Sequence, residues 1–161
     1  GESVTLSQEI TLAERYLAIE QVRFGERLQV EWALDPMAGS AKLPPLLAAV
    51  KASGRPVVWS CDPMHGNTTT TAQGVKTRDF AKVVQEVREF FAAHAQAGTV
   101  AGGLHVELTG QDVTECRGGG QNLTDEQLQT RYTTACDPRL NGSQSLELAF
   151  LVADLLKAQR G

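Results

Sequence analysis

The chain has 161 residues, 42% of them hydrophobic and 21% charged, enough to fold around one core and too ordinary in composition for wholesale disorder. It falls short of a complete (β/α)8 barrel, which takes roughly 200 residues at the least. With 15 basic against 19 acidic side chains, a net charge of −4 and no basic stripe, it lacks the electrostatic footprint of a nucleic-acid binder.

Ser7 is a candidate N-cap for a helix over residues 7–24, with Ile10, Ala13, Leu17 and Val22 at roughly helical spacing and Gly25 to end it. Residues 28–34 alternate apolar and polar, which predicts a half-buried strand. After a loop marked by Asp35-Pro36 and Gly39-Ser40, Pro44-Pro45 opens a short helix over 46–52, and Gly54 lies just past its end. Residues 56–61 are a continuous apolar run of the kind buried in parallel sheets. A polar loop rich in Thr and Gly is expected over 65–77, then a long helix over 79–97 with Phe80, Val83, Val84, Val87, Phe90 and Phe91 as its apolar stripe. Residues 102–108 predict another strand, followed by a Gly-rich loop to Gly120. Thr124 with Gln127 makes a capping-box signal for a helix reaching about Tyr132. Residues 133–136 suit a brief strand, and 143–157 a closing helix.

This order, a helix and then four strand-to-helix units, predicts an α/β fold of alternating parallel strands and helices. It would be half of a (β/α)8 barrel or a small open sheet of about four βα units, with no internal repeat. The most apolar stretch near the end, 146–156, carries Glu147 and Asp154, so no membrane span is expected. Cys61, Cys116 and Cys136 form no CxxC pair and the first residues carry no signal pattern, which makes a reducing cytoplasm the expected compartment.

Three predicted strands end in, or lead into, a ligand-type side chain: His65, Glu107 and Asp137. Parallel α/β sheets collect functional groups at their C-terminal edge. One imidazole and two carboxylates suit Mn, Fe, Co or Zn better than Mg or Ca. Each residue also has an ordinary reading: a solvated histidine in a polar loop, a carboxylate beside a strand and, for Asp137 before Pro138, a helix cap.

Residues 43–157 resemble the C-terminal part of the type II, plant-like 3-deoxy-D-arabino-heptulosonate 7-phosphate (DAHP) synthases of the shikimate pathway. The resemblance rests on residues 61–68 (CDPMHGNT), 105–110 (HVELTG), 113–116 (VTEC), Arg131-Tyr132 with 135–141 (ACDPRLN), and 144–150 (QSLELAF). It implies that the strands are the last three of a (β/α)8 barrel, and that His65, Glu107 and Asp137 are three of the family's four metal ligands. The metal, typically Mn2+ or Co2+, polarises the aldehyde of erythrose 4-phosphate. Phosphoenolpyruvate adds through carbon, and water attack with phosphate loss completes the condensation. Lys76 and Arg78 would help hold a phosphorylated substrate, or else form an exposed basic turn. The family's fourth ligand, an early cysteine, and the side chains of the first five strands that clamp phosphoenolpyruvate have no counterpart here. Buried, inert thiols are expected for all three cysteines.

Residues 4–10, 15–20 and 23–28 resemble a different family, the segment before the ATP-binding domain of sensor histidine kinases that partner LytTR-type regulators. The kinase's phosphoacceptor-histidine motif and its asparagine and glycine boxes are missing, so kinase activity is not expected. The two resemblances meet near Leu43-Pro44-Pro45-Leu46-Leu47, which divides the chain into residues 1–42 and 43–161 and suggests a chimera. The resulting expectation is a DAHP-synthase fragment that keeps three ligands without turnover alone. Its alternatives are an active synthase once complemented by the missing strands, and a non-catalytic signalling or interaction module. The open edges of a half-barrel predict a homodimer.

Overall fold

The computed structural model describes residues 43–160 and three isolated earlier positions, 18, 22 and 25. The strand predicted over 28–34, and otherwise the helix predicted over 7–24 and the kinase-like segment, lie outside the described residues. The first element with described bounds is helix α1 (Leu43–Ser53), which takes in both prolines at its start and buries Leu47. Gly54 follows in the left-handed region at φ 67°, as a helix terminus requires. Strand β1 (Ser60–Cys61) runs into a 3-10 turn at His65–Asn67, then β2 (Thr68–Thr70) and β3 (Lys76–Arg78). Helix α2 (Phe80–Ala97), strand β4 (Gly103–Leu104), a 3-10 helix (Asp125–Arg131) and helix α3 (Gly142–Arg160) complete the order.

β1 pairs with β4 in parallel, Ser60 opposite Gly103 and Cys61 opposite Leu104. Further along, Leu108 bridges Leu140, also in parallel. Three successive chain segments therefore run side by side in one direction, as the βα alternation predicts, although the regular ladder between β1 and β4 is only two residues long. The described residues form a mixed α/β structure with one small parallel and one small antiparallel sheet.

α2 is held at both ends. The Asp79 carboxylate accepts a hydrogen bond from the Ala81 N–H, and Gly98 closes the other end at φ 60°. Lys51 Nζ on α1 donates to the Ala97 carbonyl at 2.8 Å, placing a cation on the negative end of the α2 dipole. The inner face of α2 supplies Phe80, Val83, Val87, Phe90 and Phe91 to a core that also contains Met64, Ala101, Cys116, Leu140 and Leu148. Asn141 and Gln144 cap α3 reciprocally: the Gln144 N–H donates to Asn141 Oδ1 at 2.9 Å, and the Asn141 N–H to Gln144 Oε1 at 3.1 Å. Gln144 Nε2 also donates to the Cys116 and Gly118 carbonyls, pinning the Gly-rich loop to the helix.

Five expectations change. The strand predicted over 102–108 is regular only at Gly103–Leu104, with an isolated bridge at Leu108. Residues 65–77, read as a loop, contain the antiparallel hairpin β2–β3, in register from Thr68 opposite Arg78 to Thr70 opposite Lys76. β-branched threonines favour strand, and Gly74 at φ 80° allows the reversal. The run 56–61 is a strand only at its end, and Val58 is 88% exposed rather than buried. The segment opened by Thr124 and Gln127 keeps its reciprocal capping contact (Thr124 N–H to Gln127 Oε1, 2.9 Å) but winds as a 3-10 helix. Residues 133–136 form no strand, because the Thr133 and Thr134 N–H groups donate to the Glu115 carboxylate instead of to a ladder.

Candidate metal centre

His65 leaves the end of β1 on a turn built by its own motif. Asp62 Oδ1 accepts the N–H groups of Met64 (2.9 Å) and His65 (3.2 Å), the side-chain-to-backbone turn that aspartate favours. Met64 is fully buried in the core, so the turn is nailed down by packing. Asn67 Nδ2 closes it by donating to the Pro63 carbonyl and to Glu86 Oε2. Asp62 Oδ2 then lies 2.6 Å from His65 Nδ1, and the other ring nitrogen, Nε2, lies 3.6 Å from Glu107 Oε1.

Glu107 follows β4 and is aligned with the next segment by backbone pairing. The Leu140 N–H donates to the Glu107 carbonyl at 3.0 Å, and the Thr109 N–H to the Leu140 carbonyl at 2.9 Å. This parallel register brings Asp137 alongside. Donor atoms of His65, Glu107 and Asp137 lie within 4.8 Å of one another. The structure thus brings together all three ligand-type residues singled out in the sequence.

The two basic residues take different positions. Lys76, half-exposed, places Nζ 3.4 Å from Asp137 Oδ1. Arg78 is fully buried, so the reading of an exposed basic turn does not hold for it. Its Nη1 donates to Glu107 Oε2 and to the Pro138 carbonyl, and its Nε to Thr68 Oγ1 at 2.9 Å. Lys76 and Arg78 are two residues apart on β3 and so share one face, one cation beside each carboxylate of the cluster. Burial works against ionisation of Asp137, but the Cys136 thiol donor and the Lys76 and Arg78 charges outweigh it, and its carboxyl sits below the usual range.

The loop carrying Asp137 is shaped by a residue that motif spacing did not mark. Glu115 is fully buried. Its carboxylate accepts from the Thr133 N–H and hydroxyl, the Thr134 N–H, the Arg139 N–H and the Arg139 guanidinium, at 2.7–3.2 Å. Burial raises its pKa, and the Arg139 side chain and these backbone donors bring it to a net lowering. Asp62, beside His65, is a second residue given no role in the sequence reading. For both, the only sequence signal was membership of a recognised motif.

The cysteines divide. Burial, first of all, pushes the Cys61 and Cys116 thiols up to about 12, so both are protonated at neutral pH. Cys136, expected to be buried, is exposed, with Sγ donating to Asp137 Oδ2 at 3.4 Å. The strand that would have turned it inward is not there.

Two donors of one ion, each at about 2.0–2.2 Å, are at most roughly 4.4 Å apart, and the His65–Glu107 separation of 3.6 Å satisfies that limit. One nitrogen and two carboxylate oxygens, with charged partners on their far sides, form a donor set suited to a first-row divalent ion. What the fold and the cluster define is therefore an α/β chain with a metal-type His-Glu-Asp constellation at the ends of adjacent parallel segments.

Comparison with known proteins is consistent with that description. The family model described as Class-II DAHP synthetase matches residues 38–153, and the chain belongs to this family. It is 57% identical over 115 residues to phospho-2-dehydro-3-deoxyheptonate aldolase AroG of Mycolicibacterium smegmatis, covering 71% of this chain and 25% of that protein. It is 58% identical over 118 residues to the phospho-2-dehydro-3-deoxyheptonate aldolase of Streptomyces coelicolor, covering 73% of this chain and 26% of that one. The chain spans about a quarter of the length of the curated relatives it matches.

Proposed function

We propose that this chain is the metal-holding portion of a DAHP synthase, the enzyme that condenses phosphoenolpyruvate with erythrose 4-phosphate in the shikimate pathway. The observation that carries the reading is the convergence of His65, Glu107 and Asp137, on the motifs through which the chain resembles the family. His65 Nε2 and the carboxylates of Glu107 and Asp137 would hold Mn2+ or Co2+. Such an ion supplies Lewis-acid polarisation of the aldehyde of erythrose 4-phosphate. Lys76, at the solvent rim, meets the substrate phosphate. Arg78, enclosed behind the cluster, holds Glu107 in place.

These 161 residues alone bind the ion without turning over, and activity requires the remaining three-quarters of the relatives' length. The kinase-like motifs of residues 1–42 are the ground for reading the chain as a chimera. The exposed apolar side chains Val58, Val100, Leu146 and Phe150 support a homodimer in which a second copy covers them.

Calorimetric titration with Mn2+ tests the site: binding to the native chain and its loss in His65→Ala are expected, and equal affinity in both would overturn the proposal. A coupled assay of phosphoenolpyruvate consumption with erythrose 4-phosphate and Mn2+ is expected to show no turnover. Metal-dependent turnover by the 161 residues would overturn that part of it.

A further inference from the structure

We infer that Asp62 is a positioning residue: it fixes the tautomer of His65 so that the Nε2 lone pair faces Glu107. The inference rests on the metal-site reading and extends it to a residue outside the His-Glu-Asp set. A carboxylate accepts hydrogen bonds and does not donate them, so the 2.6 Å contact between Asp62 Oδ2 and His65 Nδ1 requires the proton to be on Nδ1. In the neutral ring Nε2 is then the unprotonated nitrogen, 3.6 Å from Glu107 Oε1, the state a metal ligand needs.

The carboxylate itself cannot rotate freely, because Oδ1 is held by the Met64 and His65 N–H groups. Met64, between them, is buried. A competing arrangement exists on the same residues: Asp62, His65 and His105 also have donor atoms within 4.8 Å, and the His105 ring stacks on that of His65 with centroids 5.9 Å apart. An ion bound there through Nδ1 would have to break the Asp62–His65 hydrogen bond. It would also compete with the two backbone donors for the carboxylate. The geometry favours Asp62 as the support of the ring over Asp62 as a ligand.

Asp62→Asn makes the assignment testable. The two backbone N–H groups keep the amide oxygen in the Oδ1 position, which leaves the amide NH2 facing Nδ1. Nδ1 must then accept, the ring proton moves to Nε2, and the ligating lone pair is lost. Asp62→Ser is the second variant: its hydroxyl can keep the backbone turn while removing the contact to Nδ1.

Tautomers are read in the metal-free full chain at about pH 8.5, well above the ordinary imidazole value, from long-range 1H–15N correlations. The His65 ring is assigned by its absence in His65→Ala. The native chain is expected to show Nδ1–H, Asp62→Asn to show Nε2–H, and Asp62→Ser to show a mixture. In parallel, Co2+ titration followed by visible absorption is expected to be about 10- to 100-fold weaker in Asp62→Asn and unchanged in His105→Ala. An unaltered tautomer in both Asp62 variants would overturn the inference. So would a loss of Co2+ affinity in His105→Ala as large as in Asp62→Asn, which would make Asp62 a ligand. Should His65→Ala bind Co2+ as tightly as the native chain, the metal reading fails, while the tautomer result still decides the role of Asp62.

Discussion

Glu107 has its two carboxylate oxygens in different hands. Oε2 accepts from the buried Arg78 guanidinium, and Oε1 faces His65 Nε2 at 3.6 Å. The same Arg78 nitrogen also reaches the Pro138 carbonyl, next to Asp137. One interior cation thereby ties the segment bearing one carboxylate to the loop bearing the other.

Replacing Arg78 is expected to affect binding and folding together. Arg78→Met leaves Glu107 Oε2 and the Pro138 carbonyl without their donor, at a cost of about 3 kcal/mol. Co2+ affinity should fall about 10-fold or more as Glu107 loses its orientation. Arg78→Lys, a point charge without the planar fork, cannot serve Thr68 and Glu107 at once and is expected to recover only part of either. Urea unfolding and Co2+ absorption measure the two effects separately; unchanged affinity in Arg78→Met would contradict the role.

Glu115 gives a pH dependence whose sign is fixed. Its folded-state pKa is lowered, against about 4.3 in an unfolded chain. The native state therefore binds the proton less readily than the unfolded state. The stabilisation is complete above about pH 4.3 and is lost as the pH falls through the lowered value. Glu115→Gln is expected to cost about 3 kcal/mol at neutral pH, and the gap to the native chain should close on acidification. Urea midpoints from neutral pH into the acid range test this, and a gap that stays constant would rule it out.

Gly102 sits where two backbones touch. A Cβ there would lie 2.8 Å from the Trp59 carbonyl oxygen and 3.1 Å from Val58 Cγ1, and the Gly102 N–H donates to that same carbonyl. Backbone cannot yield as a flexible side chain can. Gly102→Ala is expected to pry β1 from β4 and destabilise by about 1–3 kcal/mol, read as a lower unfolding midpoint. An unchanged midpoint would mean that the two strands tolerate separation.

The three thiols should be distinguishable chemically. Cys61 and Cys116 are pushed up to about 12 and are at least partly buried, whereas Cys136 is exposed. Brief iodoacetamide treatment of the native chain is expected to label Cys136 alone, and treatment in urea to label all three. Mass spectrometry after digestion reads the sites; rapid native labelling of Cys116 would be inconsistent with the packing around it.

Much of this was legible in the sequence, for identifiable reasons. The α2 stripe of Phe80, Val83, Val87 and Phe90 is periodic and ends in Gly98, so local pattern and tertiary burial agree. His65, Glu107 and Asp137 were legible because each lies at the end of a chain segment within a recognisable motif. The hairpin β2–β3 was not, since its residues are polar on both faces and no hydrophobic alternation marks it. Residues 133–136 misled for the converse reason: their strand-like composition was overridden by Glu115, a single buried carboxylate distant in sequence. The place of Asp62 beside His65 and the burial of Arg78 were not legible, because both depend on which atom of a neighbour they reach, and spacing does not encode that.

The alternation of β3 has a consequence for how this region can change. Lys76 and Arg78 point to the two carboxylates, while Thr77 between them donates to the Glu115 carbonyl on the opposite side. A shift of one position along the strand would present a threonine to the acids and turn both cations away. The turn closed between Thr71 and Val75 contacts none of these groups through its backbone pairing. Insertions, loop grafts and sequence drift can therefore accumulate at the tip of the hairpin, provided its three paired rungs remain in phase.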